Sequence, residues 1–472
     1  MARTAPSQIS FADWEFVQQK ISLEPMLQAI SDFMDGQARL VEKVRRDLER
    51  GLRHPHTGRN GLSPAQVLRS LILMRVKNWH YRELRERIAD GYSLRQFTDF
   101  YSQPVPKHDA FQRAFTRLTP ATLRAINQLV VEAAIDLGLE DGKRLRVDTS
   151  VVQTDIHHPT DNTLLWDVVR VVTRLVDRLR HLLGGKANRF PHRTRAARRR
   201  MQQIQRMTTL QRHQLQAPKY RELIMITDKV VDSARQVLDQ TRKGHGSGRL
   251  QDVAVQQLRP QIAHYCQLGE RVIDQARRRV LQGEQVANAE KIYSIFEPHT
   301  DLIKRGKVLT PLEFGHKVFL AESDQGLITQ YEVLQGNPND EIHVEASLQR
   351  HQQTFGHAPQ LYGSDRGFYS EHSVHACRRA GVKVVCIPQC GGKKTARREA
   401  YEKSRVFKKG QCFRAGIEGR ISVLFRGRGM KRCLAEGRER FEMLVGAAVL
   451  ANNLMRIATL LSQRSPANRR FA

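Results

Sequence analysis

The sequence predicts a mixed α/β protein with an all-helical N-terminal third and a five-stranded sheet, interrupted after its first strand by a long helical stretch. Three observations predict it. Apolar residues recur at helical spacing up to Gly138, period-two alternation marks 145–151 and four later segments, and residues 161–297 carry no strand signal.

The helical third is read from its start and stop signals. Leu62-Ser-Pro-Ala-Gln66 opens a helix, with Ser63 as N-cap, Pro64 at the first helical position, Gln66 completing a capping box and Leu62 able to staple onto Val67. That helix runs through Leu68, Leu71, Ile72 and Val76. A turn at Asn78-Trp-His80 leads to a second helix over 82–89 and a third over 93–97. Three short helices carrying Arg82, Arg85, Arg87 and Arg95 resemble a helix-turn-helix unit able to enter a DNA groove, although a plain helical bundle has the same spacing. A further helix opens at Thr119-Pro120 and closes at Gly138.

The first strand follows. Leu145, Val147, Thr149 and Val151 alternate with Arg146, Asp148 and Ser150, so one face suits a core and Asp148 lies on the other. Leu164, Leu165, Val168, Val169, Val172, Leu175, Val176 and Leu179 then recur at helical spacing until Gly184-Gly185, where a C-cap is expected. Residues 186–243 hold 15 Lys and Arg against 4 Asp and Glu, with Arg193, Arg195, Arg198, Arg199 and Arg200 closely spaced. Such a density can follow a phosphate backbone, and it is equally the pattern of a solvated face. Gly244-His-Gly-Ser-Gly248 reads as a link between helices.

Strand signals resume at 316–321 and 327–334, joined through Ser323-Asp-Gln-Gly326 as a hairpin. A helix over 340–355 precedes a strand over 360–364, which ends on Asp365. A helix near 370–381 precedes the last strand, 382–387. Ile417, Ile421 and Leu424 then form an apolar helical stripe, with Glu418 off it and Arg414 one turn earlier. Alone, that pair reads as a surface ion pair worth a few tenths of a kcal/mol. Glu436 and Glu439 are competing acids on the next helix.

Charge sets the class of partner. The 472 residues include 78 Lys and Arg against 48 Asp and Glu, a formal net charge of +30 that attracts a polyanion, nucleic acid first. A membrane surface is the rival, but no stretch reads as an apolar span, since the run from Phe441 to Leu461 is broken by Glu442, Asn452, Asn453 and Arg456. The start, Met1-Ala-Arg-Thr-Ala-Pro6, lacks the apolar core of a signal peptide, and a cytosolic location is expected. Six scattered cysteines fit a reducing compartment. Cys386-x3-Cys390 has no second ligand pair and is not read as a zinc site, while His372, His375 and Cys377 are read as ordinary positions of an exposed helix.

Asp148 in Val-Asp-Thr-Ser150, Thr160-Asp-Asn-Thr-Leu-Leu-Trp-Asp167, Glu297-Pro-His-Thr-Asp301, Glu313-Phe-Gly-His-Lys317, Ser364-Asp-Arg-Gly-Phe368 and Arg414-Ala-Gly-Ile-Glu-Gly-Arg420 together resemble the DDE transposases of bacterial insertion sequences, most closely the ISNCY-type group. The resemblance spans nearly the whole chain, as far as Asn453-Leu-Met-Arg456. It implies a ribonuclease-H-like core with its first acid on strand one, its second after strand four and its glutamate on a later helix. Residues 1–140 would be the helical DNA-binding domain, 141–160 with 297–465 the catalytic domain, and 161–296 a basic helical insertion.

The resemblance further implies that Asp148, Asp365 and Glu418 hold two Mg²⁺ ions, which Mn²⁺ can replace, with Asp148 bridging both. The activity it implies is cleavage of double-stranded DNA at the inverted-repeat ends of a mobile element, and transfer of the 3′-hydroxyl ends to target DNA. A homodimer bringing two ends together and a bacterial cytoplasmic, nucleoid-associated location belong to the same expectation. Related signatures carry a Tyr and a Lys around the glutamate where this chain has Gln411 and Phe425. Phosphate contacts near Glu418 are therefore expected from Arg414, Arg426, Arg428 or Lys431. A nuclease that only hydrolyses DNA and an inert DNA-binding repressor are the alternative classes.

Overall fold

The computed structural model describes residues 2–3, 11–18, 22–54, 57, 59–184, 190–241, 248–304 and 312–464. Two compact units make up the chain, Met1–Gln153 with His316–Ala472, and Thr154–Gly315. Positions 244–247 of the expected link, and Gly185 of the expected cap, lie outside the described residues.

The N-terminal part of the first unit is helical except for a parallel pairing of Ala2–Arg3 with Arg59–Asn60, too short to show in the sequence. Its helices are α1 (Phe11–Gln18), α2 (Pro25–Asp35), α3 (Ala38–Glu49), α4 (Pro64–Val76), α5 (Tyr81–Asp90), α6 (Tyr92–Phe97), α7 (His108–Phe115) and α8 (Pro120–Asp136). Local chemistry starts α4: the Ser63 side chain accepts from Gln66 N and the Gln66 side chain accepts from Ser63 N, which satisfies two amides that a helix start leaves open. Leu27, Ile30, Leu40, Val44, Leu68, Ile72, Ile126 and Val130 meet in one apolar core. The last helix of the chain supplies part of the same core.

The second unit is built on α9 (Asp161–Leu182), α10 (Thr194–Gln205), α11 (Thr209–Gln240) and α12 (Arg249–Ala276), which share a core of Leu165, Val168, Val172, Leu223, Val230, Ile262 and Val272. Gly184, φ +66°, follows α9 as the expected stop.

The sheet has seven strands among the described residues rather than the expected five: β1 (Arg144–Thr154), β2 (Asp301–Lys304), β3 (Leu312–Ser323), β4 (Ile328–Val333), β5 (Leu361–Gly363), β6 (Val384–Cys386) and β7 (Arg432–Cys433). The two extra strands, β2 and β7, have four and two residues, too few for an alternating pattern to register in sequence. The order is β2-β3-β1-β5-β6, with β4 also on β3 and β7 also on β1. β1 and β5 run parallel, as do β5 and β6, whereas β3 pairs antiparallel with both β2 and β4. The sheet is therefore mixed. Gly326 has φ +85° in the turn between β3 and β4, a conformation that glycine reaches without strain.

Helices α13 (His343–Phe355) and α14 (Glu371–Arg379) cover one face of the sheet, where Leu145, Val147, Phe319, Tyr362, Val344, Val374 and Cys377 form a core. Cys377 is thus buried, not an exposed helix position. The short α15 (Ala396–Lys403) then leads into α16 (Arg405–Gly427). On the other face of the sheet, Val152, Val318, Leu320 and Ile328 pack with Leu424 of α16 and with Phe441, Val445 and Val449 of α17 (Arg438–Arg464).

α17 corrects one expectation. By length and composition it is apolar enough to cross a membrane, with a mean hydropathy of 1.6 in its best window, but 72% of that window is buried inside the protein. Val445 and Val449 face the sheet while Leu450, Leu454 and Ile457 enter the helical core, which makes it a core helix. The polar residues that interrupt its apolar run have partners. Asn453 accepts from Ile328 N through Oδ1 and donates to Ile328 O through Nδ2, both at 2.9 Å, so one amide pairs with β4 as a strand neighbour would.

Replacing Asn453 by Leu leaves both backbone groups of Ile328 without their partner. The expected loss is about 2 kcal/mol or more, since each stranded buried group costs about 1–3 kcal/mol. It is read as a lower urea midpoint with circular dichroism otherwise unchanged; an unchanged midpoint would show that Asn453 does not hold β4.

Candidate active site

The parallel register of β1 and β5 aligns Arg144 with Leu361, Leu145 with Tyr362 and Arg146 with Gly363. Continued by two residues, that register sets Asp148 level with Asp365, which immediately follows Ser364 at the end of β5. Alternation places Asp148 on the Arg146 face, and the residue is 8% exposed. Each acid receives a neighbouring amide: Thr149 N donates to Asp148 Oδ1 at 2.7 Å, and Gly367 N to Asp365 Oδ1 at 2.9 Å.

α16 brings the remaining residues to this edge because glycines let it approach the sheet. A Cβ at Gly363 would lie 3.3 Å from Arg414 Cβ, one at Gly410 would collide with Cys386 Sγ, and one at Gly416 would collide with the Arg146 guanidinium. Buried Ile417 and Leu424 anchor the same helix. Gln411, standing where related signatures have tyrosine, donates to Cys386 O at 2.7 Å and ties α16 to the end of β6.

Arg414 is therefore held against the acids. Its Nη2 lies 3.1 Å from Asp148 Oδ2 and 3.9 Å from Asp365 Oδ2, and its Nη1 lies 2.9 Å from Glu418 Oε1. One cation contacts all three expected acids. Glu418 is nevertheless the outermost, with its side chain 66% exposed, and it meets Arg414 as an i, i+4 pair on the helix surface. Among the described residues no three His, Cys, Asp or Glu side chains are grouped closely enough to hold a metal ion. The convergence is of two aspartates on one nitrogen, with the glutamate on the other.

Beneath this lies a buried ion-pair network that sequence reasoning missed. Glu322, 1% exposed on β3, takes Arg146 Nε at 2.8 Å and Arg420 Nε at 2.9 Å. Arg146 also donates to Phe413 O, and Arg420 to Asn452 Oδ1. The signal in sequence was Arg146 within one strand and Glu322 directly after another read as 316–321, charges that only pairing makes tolerable once buried. Lys317 and Asp340, 2.8 Å apart, form a second such pair behind Thr149. Asp340 is inconspicuous in sequence because Asn337-Pro-Asn-Asp340 reads as a helix start.

The expected basic contacts are spread. Arg82 is exposed and Arg85 half-buried on α5, whereas Arg95, expected to be exposed, donates to the carbonyls of Tyr101 and Gln103 at 2.7 and 2.6 Å and holds the loop after α6. In the second unit Arg195, Arg198 and Arg199 are exposed on α10; Arg193 stands at its N-cap position without a side-chain bond to the helix, and Arg200 pairs with Glu222. Arg426 and Lys431 are exposed at and beyond the end of α16, and Arg428 is anchored to Val76 O at 2.7 Å. His299, in the second unit, pairs with Glu297 at 2.6 Å.

Residues 15–117 match the family model described as Transposase domain (DUF772). The matched segment runs from within α1 past α7, and it supports a transposase family member, an enzyme class that cuts and joins DNA. It does not reach the three acids. No curated protein and no solved structure matches the chain.

Gly410→Ala should lower the urea midpoint, costing about 1–3 kcal/mol through the clash with Cys386. Gly419→Ala, on the open side of the same helix, should instead gain up to about 1 kcal/mol. Equal effects at the two positions would mean that α16 does not depend on close approach.

Proposed function

We propose that the chain is a DDE-type transposase with a ribonuclease-H-like catalytic core, which cuts the ends of a mobile DNA element and transfers the 3′-hydroxyl ends to target DNA. The observation that carries this reading is the placement of Asp148, within β1, level with Asp365, just past the end of its parallel neighbour β5, with Arg414 linking both to Glu418. What supports the fold assignment is the order of acids on elements: the first on β1, the second after β5, the glutamate on a later helix.

Asp148 and Asp365 offer the carboxylate oxygens that a hard divalent cation takes and both already face one cationic nitrogen, while the exposed Glu418 is not grouped with them. Asp148 and Asp365 would hold Mg²⁺ or Mn²⁺ directly, and Glu418, exposed and joined to them through Arg414, would complete the set. Two such ions, when bound, activate the attacking oxygen and neutralise the departing one. The chain's own residues do the rest. Asp148 and Asp365 keep their oxygens aimed outward because the Thr149 and Gly367 amides occupy their inner ones. Arg414, released from the carboxylates, presents its two guanidinium nitrogens to phosphate oxygens. Water first attacks the phosphorus at the element end, breaking the bond to the 3′ oxygen. The freed 3′-hydroxyl then attacks a target phosphorus in the same site, losing its proton and forming a new phosphodiester as the target's own bond to a 3′ oxygen breaks and that oxygen leaves as a 3′-hydroxyl.

DNA is bound by exposed arginines on both units, Arg82 on one and Arg195, Arg198 and Arg199 on the other, with Arg426 and Lys431 exposed at and beyond the end of α16. A homodimer working on two ends, in the bacterial cytoplasm, completes the proposal.

On a DNA fragment carrying the flanking inverted repeats, with Mg²⁺, Asp148→Ala and Asp365→Ala should reduce end cleavage to background while retaining end binding by gel shift. Joined products with target DNA separate a transposase from a hydrolysis-only nuclease, and nicking absent in the wild type would overturn both. Glu418→Ala should match the aspartate variants; full cleavage by it would move the third acid to Glu436 or Glu439.

Replacing Arg195, Arg198 and Arg199 together by Ala should weaken DNA binding and flatten its dependence on log salt by about 0.9 for each phosphate that the variant no longer neutralises. An unchanged slope would remove α10 from the DNA surface.

A further inference from the structure

We propose that Asp340 is a positioning residue for both aspartates of the site, held in place by Lys317 and Thr149; this rests on the reading of Asp148 and Asp365 as the reacting acids. Thr149 Oγ1 donates to Asp340 Oδ1 at 2.9 Å, and Lys317 Nζ reaches the same oxygen at 2.8 Å while donating to Pro338 O at 2.8 Å. Thr149 and Lys317 are both buried. Lys317 shares its strand face with Phe319 and Ala321 of the core beneath α13 and α14, so Asp340 acts from the sheet face opposite Arg414.

Asp340 abuts both residues whose amides fix the acids. Through Thr149 it bears on Asp148, whose Oδ1 takes the Thr149 amide. On its other side lies Gly367, whose amide fixes Asp365: a Cβ there would meet Asp340 Oδ2 at 3.1 Å and Asp365 Oδ1 at 3.2 Å. One carboxylate thus holds the Thr149 side chain by a hydrogen bond and stands against the glycine whose amide aims Asp365. A buried ammonium without its counter-ion is strongly unfavourable, so Lys317 holds Asp340 in place. The interaction runs through neighbouring backbone, as partners behind a metal ligand do when they set its direction.

The test uses Thr149→Val, which keeps the shape and removes the hydroxyl, with Thr149→Ser as the conservative control, and Lys317→Met beside Lys317→Arg. Mn²⁺ binding is followed by electron paramagnetic resonance on the DNA-free full chain, and the thermal midpoint of each variant is recorded. Thr149→Val and Lys317→Met should bind Mn²⁺ about tenfold more weakly. Thr149→Ser should restore affinity, and the thermal midpoint of Thr149→Val should remain near that of the wild type. Wild-type affinity in Thr149→Val, or a loss that Thr149→Ser fails to restore, would overturn the proposal.

Absence of Mn²⁺ binding by the wild type would instead sink the metal reading. The positioning role would then be decided by crystal structures of the metal-free wild type and Thr149→Val. A displaced Asp148 carboxylate upholds it, and an unmoved one overturns it.

Discussion

Parallel pairing of three residues, Arg144–Arg146 with Leu361–Gly363, is the constraint on which the rest of the site depends. A shift of one residue would turn Asp148 or its partner to the opposite face of the sheet. So short a contact is fixed by what surrounds it. β6 pairs with β5 on its far side, Leu145 and Tyr362 are buried in the core under α13 and α14, and α16 packs close against Gly363. The hydrogen bonds align the strands, while burial of the alternating apolar residues makes every other register costly.

Electrostatics are settled in two layers. Arg146, Arg420 and Glu322 are ionic groups whose mutual pairing and further bonds to Phe413 O and Asn452 offset their desolvation, and they connect β1, β3, α16 and α17 below the site. Above them Arg414 contacts three carboxylates at once, which offsets the repulsion among them, most for buried Asp148 and least for exposed Glu418. A chain with net charge +30 carries its arginines for more than one purpose. Arg95 and Arg428 bind backbone carbonyls and hold loops, whereas Arg195, Arg198 and Arg199 remain exposed.

Several elements were legible because their cause is local. The capping box at Ser63 and Gln66 and the turn at Gly326 depend on neighbours within a few positions and occur as read, whereas the strand around Asp148 forms but is buried on both faces from Val147 to Val152. Other features were misread for want of the partner. Asn452 and Asn453 looked like breaks in an apolar run, yet one holds Arg420 and the other pairs with the backbone of β4. Lys317 had no determinable direction until its strand was paired, and Asp340 stood in a stretch rich in turn residues.

Asp148, Asp365 and Glu418 were singled out by resemblance to known transposases, while by itself the sequence determined the helical and strand periods and the excess of positive charge. These follow from residue type and spacing alone. Which acids meet, that Arg414 rather than another base lies between them, and that Glu418 stays at the exposed margin were decided by the tertiary structure. The reason is geometric: strand register and the approach of α16 at Gly363 and Gly410 join segments far apart in the chain, and no local pattern encodes such distances.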